Sequence, residues 1–189
     1  SQFISRREFE YAEKVYLQGR KNQATNSFNY ELGMVYYYMR NYDQMLKEYL
    51  EWAKQKENNF EMVKNNLQSV LSMDNDQEIS KQMKTYVLKC IQKDPNELIY
   101  TRLLIWLFVQ DKNFPSAIRQ SISLDKRTGT EDQNIFELAT IAASNKSYDE
   151  RNVALNKLKE IAPDYHATLT TEGTLINNNA DALDNYVKK

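Results

Sequence analysis

Apolar residues recur along this chain at spacings of three and four. In the segment before Pro95, Ile79, Met83, Val87, Cys90 and Ile91 fall on one helical face. The stretch from Leu103 to Val109 is almost unbroken apolar sequence, far short of the ~20 residues of a membrane helix. The breaks between such stretches are regular. Pro95, Gly129 and Pro163 follow one another at an equal step. Leu104 pairs with Leu138, and Phe114 with Tyr148, at the same step. A period of this size, about 34 residues, predicts helix–turn–helix units. Each is too small to bury its own apolar face, and stacked neighbours bury it together.

The period divides the chain. One unit covers 26–59, with a first helix over 26–40 and a second over 43–56. Before it, Arg7-Glu8-Phe9-Glu10-Tyr11-Ala12 aligns with Arg40-Asn41-Tyr42-Asp43-Gln44-Met45. Residues 1–25 therefore read as half a repeat, a second helix over 3–21 without its first, as expected of a segment from a longer array. The unit over 60–97 is irregular. From Glu57 to Pro95 the chain runs longer than one period, and the extra length is expected in the polar stretch Ser72 to Asp76. Units over 98–131 and 132–165 are regular. Residues 166–189 read as a short or frayed terminal unit, with a turn at Asn177 to Asn179 and a second helix around Ala182 to Tyr186. Thr168, Thr170, Thr171 and Thr174 weaken its helical character. The expected fold is all-α, a single solenoid of antiparallel helix pairs.

Composition narrows the function. Four Gly and three Pro among 189 residues are too few for the turns of a β-sandwich or barrel. At 12% aromatic residues the chain is not disordered. A net charge of −1 offers no basic excess for phosphate, so nucleic acid is not an expected partner. Cys90 is the only cysteine, which excludes an internal disulfide and a cysteine-built zinc site and leaves the compartment open. No nucleotide-binding, zinc-protease or serine-hydrolase motif occurs, so neither cofactor nor catalytic residue is expected.

Leu32-Gly33 followed by Tyr36, then Tyr42 and Tyr49, resembles the tetratricopeptide repeat pattern, as do Pro95, Phe114, Ala117, Tyr148 and Pro163. Met45 and Arg151 depart from it, at the place of a small residue. The stretch Leu103 to Phe108 followed by Asp111-Lys112-Asn113-Phe114 is also similar to longer bacterial proteins of this family, usually exported and without an assigned activity. That likeness implies a periplasmic location and an internal segment. The family implies a right-handed superhelix that binds a protein or peptide in a concave groove lined by first helices.

At the groove positions that the resemblance implies, the chain carries Tyr30, Met34, Tyr37 and Tyr38 in one unit. Another carries Ile99, Arg102, Trp106, Val109 and Gln110. Tyr and Trp give large contact area at small rotamer cost, Met adapts, and Arg grips a carboxylate. The competing reading is that these rings pack adjacent repeats, and for Trp106, inside its apolar run, it is the stronger one. Three consecutive tyrosines, 36 to 38, cannot all point inward. His166 reads as a linker residue and Cys90 as a buried, inert thiol. Asp74, Asp76 and Glu78 lack the glycine and terminal Glu of a calcium loop. The expected role is a protein-binding scaffold. The alternatives are a spacer or self-association module and, more remotely, an enzyme on an α/α scaffold.

Overall fold

A computed structural model describes residues 8–22, 27–74, 77–145, 148–161, 167–169 and 175–177. The architecture is helical. Nine helices occur among the described residues: α1 Phe9–Asn22, α2 Asn29–Tyr38, α3 Tyr42–Ala53, α4 Glu57–Leu71, α5 Glu78–Lys93, α6 Leu98–Gln110, α7 Phe114–Thr128, α8 Asp132–Ser144 and α9 Tyr148–Ile161. None of them is long and apolar enough to cross a membrane. The chain divides into two compact units, Ser1–Leu103 and Leu104–Lys189, with the boundary inside α6.

In the first unit α2 packs on α1 and α3, and α3 packs also on α4 and α5. Between α2 and α3 the chain reverses tightly, over 39–41. The N–H groups of Met39, Arg40 and Asn41 donate to the carbonyls of Val35, Tyr37 and Tyr36 at 2.9–3.0 Å. Arg40 takes the left-handed conformation, with φ 57°. The Asn41 side chain then caps α3 by accepting from the Gln44 N–H at 3.3 Å. This is a Schellman stop joined directly to an Asn N-cap.

The turn between α6 and α7 repeats it bond for bond. Asp111, Lys112 and Asn113 donate to Leu107, Val109 and Phe108 at 2.8–3.1 Å. Lys112 has φ 56°, and Asn113 accepts from the Ser116 N–H at 3.2 Å. The step from Arg40 to Lys112 spans one irregular unit and one regular unit. The third hairpin keeps the register: α8 ends one period after α6, and α9 starts one period after α7. The pair α4 and α5 does not. Its connection covers 72–77, and Asp74 Oδ2 accepts from the Ser80 N–H at 2.7 Å to hold the start of α5.

Gly33 explains how close α2 and α3 come. The Tyr49 ring lies on its Cα, and a Cβ there would overlap Tyr49 Cδ1 and Cε1. Tyr49 is buried, as are Leu32, Val35, Met45 and Leu46 around it. Met45, which departs from the small residue of the repeat pattern, is core.

In the second unit α7 packs on α8 and α9, and α8 packs on α9. Ala117 and Ile118 of α7, Ile135, Leu138 and Ala139 of α8, and Ala154 and Leu155 of α9 form one core, with Ile105, Phe108 and Val109 of α6 against it. Gly129 ends α7 at φ 64°, its N–H donating to the Asp125 carbonyl at 2.7 Å. Buried Asp125 also accepts from the Glu131 N–H at 3.3 Å and lies 3.7 Å from Lys157 Nζ.

Beyond α9 stand two short antiparallel strands, β1 Ala167–Leu169 and β2 Leu175–Asn177, with Thr168 opposite Ile176. The sequence reading expects a short or frayed terminal unit over 166–189; the strands lie within it, and of its expected turn only Asn177, the last residue of β2, is among the described residues. Thr168 and Ile176 are β-branched and favour the extended chain. The helix expected around Ala182 to Tyr186, Pro163 and His166 lie outside the described residues.

Candidate partner-binding surface

Three of the expected groove residues, Tyr30, Met34 and Tyr37, share one side of α2 because spacings of four and three return to the same face, and Tyr38 stands at the edge of that side, about 100° round from Tyr37. Their surroundings differ. Tyr30 is half-buried, with its ring 4.7 Å from Trp52 and 6.3 Å from Tyr49, so it helps hold α2 on α3. Met34 is half-buried. Tyr37 is half-buried and meets the Tyr38 ring at 5.1 Å. Tyr38 is 43% exposed and stacks flat on Phe9 of α1, 5.3 Å between centroids and 1° between planes. Tyr36, the third of the tyrosine run, points inward and donates to Glu13 Oε1 at 2.8 Å. Burial and then the Glu13 bond push its phenol above the usual tyrosine range. The result is an aromatic ladder, Phe9, Tyr38 and Tyr37, spanning α1 and α2. Two of its three rungs, Tyr37 and Tyr38, are positions that the sequence points to.

Arg102 is exposed on α6 in the first unit. Trp106 is half-buried on the same helix, in the second. Val109, also counted at the groove positions, packs against the core of the second unit.

A buried polar network lies where the sequence motifs point to none. Glu48, only 4% exposed, takes a bidentate bond from Arg20 of α1, at 3.1 Å from Nη1 and 2.7 Å from Nη2. It also accepts from Asn29 Nδ2 of α2 at 2.6 Å. Gln55 Nε2 donates to Asn29 Oδ1 and to Ser27 Oγ, each at 3.1 Å, and Arg20 Nε donates to the Ser27 carbonyl. The network ties α1, α2 and α3 together and satisfies a carboxylate that would otherwise be costly to bury. The signal was available: Met45, Glu48, Tyr49 and Trp52 recur at three and four, which puts Glu48 on the buried face of α3.

The first unit also holds a shallow groove of about 370 Å³ between α3 and α5, lined by Asp43, Glu78, Gln82, Thr85, Tyr86 and Lys89. Gln82 Nε2 bridges it by donating to Asp43 Oδ1 at 3.0 Å. Near Tyr86, Cys90 is half-buried rather than fully buried, and burial pushes its thiol above the usual range. That disfavours the nucleophilic thiolate. Lys54 Nζ lies 2.8 Å from Glu51 Oε1 and 2.7 Å from the Tyr100 hydroxyl. Its burial opposes the charge, but these two hydrogen bonds outweigh burial and hold the ammonium above the usual lysine range. The ammonium sits at the hydroxyl end of the Tyr100 ring, 4.8 Å from the centroid, so the hydrogen bond rather than the ring face holds it.

Among the described residues, no group of three or more His, Cys, Asp and Glu could hold a metal ion. Asp74 is already used to hold α5, and Asp76 lies outside the described residues. No protein-family model matches this sequence, and no curated protein matches it.

Proposed function

We propose that this chain is a protein-binding scaffold, a tetratricopeptide-like solenoid of antiparallel helix hairpins that takes a peptide or protein segment on its first helices. The observation that supports the reading is the turn of 39–41, repeated bond for bond at 111–113, with helix ends in register through the third hairpin. Such identity is what a stacked repeat needs, because each hairpin must offer its neighbour the same surface. The contact surface is the α2 face bearing Met34, Tyr37 and Tyr38, extended by Phe9, with Arg102 as a site for a carboxylate. Tyr30 positions α2 through Trp52, and Trp106 supports α6. The reading assigns the chain no reaction and no cofactor.

The test is affinity capture of partners from the native source, with wild type beside a Tyr37→Ala/Arg102→Ala variant of equal helicity. The expected result is selective loss of bound partners in the variant. Equal recovery of every partner sinks the assignment of this surface.

A further inference from the structure

The three hairpins with a common register can be compared position by position. On one face of the α6–α7 hairpin stand Leu103, Trp106, Leu107, Ile118 and Ile122. Leu103, Leu107 and Ile118 are fully buried, and Ile118 and Ile122 belong to the core that α8 and α9 complete. In α2–α3 the same five positions carry Glu31, Met34, Val35, Leu46 and Leu50, the first two half-buried and the last three buried. In α8–α9 the same five positions carry Glu137, Thr140, Ile141, Asn152 and Asn156, and all five are exposed. Thr140, Asn152 and Asn156 are polar where both other hairpins are apolar, while Glu137 stands where α2–α3 has Glu31. Ile141 remains apolar and is 37% exposed, where both of its counterparts are fully covered.

From this we infer that α8–α9 is the closing hairpin of the array, with an outer face built to meet water rather than another helix pair. A stack of hairpins needs such an end. Without polar residues there, the last unit would present the same adhesive surface that its predecessors bury. The difference lies in residue type as well as exposure, so the face is polar by sequence. Docking a further hairpin on it would take Thr140, Asn152 and Asn156 out of water, a cost that the apolar residues at these positions of the inner faces do not carry. The inference rests on the stacked-hairpin reading above.

Three variants of the whole chain test it. Ile122→Asn places the polar residue of the closing hairpin on the inner face. It should lower the thermal midpoint by about 5 °C or more. Ile141→Lys should shift the midpoint by less than about 2 °C, since the side chain already meets solvent. Asn152→Ile/Asn156→Ile restores an inner face at the end. It should keep its helicity and gain concentration-dependent sedimentation that wild type lacks under the same conditions. The inference is overturned if Ile141→Lys lowers the midpoint as far as Ile122→Asn. It is equally overturned if the double variant sediments like wild type at every concentration. An Ile122→Asn chain as stable as wild type would overturn the stacking reading instead.

Discussion

The hairpins α2–α3 and α6–α7 have the same turn and carry large and small residues exchanged at one pair of corresponding positions. In the first, the inner position of the first helix is Gly33, and the ring of Tyr49 fills the space it leaves. In the second, the corresponding residues are Ile105 and Ser121, so the large side chain has moved to the first helix and the small one to the second. Both hairpins close. The backbone reversal fixes the register, while volume at the helix–helix contact is set only as a sum across the pair. The exchange leaves a trace in polarity: the buried Ser121 hydroxyl has no hydrogen-bond partner among the described residues.

The comparison breaks hardest at its centre. Tyr49→Ser should cost about 3–5 kcal/mol in urea unfolding, as a large aromatic is lost from the core. Gly33→Ile should cost about 2–3 kcal/mol by overpacking against Tyr49. The double variant installs the second hairpin's pair in the first and should recover about 1–3 kcal/mol relative to the sum. Strict additivity would mean that the two hairpins do not share one contact. A smaller loss, about 2–3 kcal/mol, is expected for Glu48→Gln, which brings in the residue that the second hairpin carries at Gln120. The Arg20 guanidinium is about a third exposed and recovers part of its solvation, which limits the cost. An unchanged urea midpoint would show that the network holds nothing.

The turns themselves should respond alike. Arg40→Gly and Lys112→Gly each relieve a left-handed residue with a Cβ, and each should stabilise by about 0.5 kcal/mol after glycine's added chain entropy. Unequal responses would mean that the matching bonds hide different strain. The smallest effect belongs to the irregular pair between these hairpins. Burial raises the Cys90 thiol, so the folded chain should react with a thiol reagent at pH 8 more slowly than the urea-unfolded chain. The same burial makes stability depend on pH. The contribution is complete below the ordinary thiol range of the unfolded chain and is lost as pH rises through the elevated folded value. Equal rates in the two states would remove any role for burial.

Much of this architecture is legible in the sequence because breakers and caps act locally. Gly129 stops α7 through its own φ, and Asn41 and Asn113 each cap the helix they precede. The network around Glu48 is legible only to the level of a face. Periodicity shows that a carboxylate faces inward, but its partners come from two other helices, 19 and 28 residues away. The likeness of the turns needs the step from Arg40 to Lys112, which the irregular pair conceals from a search at the regular period. Tyr38 lies at an expected position, yet its flat contact with Phe9 depends on how α1 docks on α2, a tertiary fact.

The Arg20–Glu48 pair has a practical consequence for dividing the protein. A fragment starting at α2 would keep the α2–α3 turn, its cap and most of its apolar contacts. It would also keep a carboxylate in the interior with its countercharge cut away. The gap between α1 and α2 is therefore a poor place to trim, and the smallest separable piece of the first unit must begin upstream of Arg20.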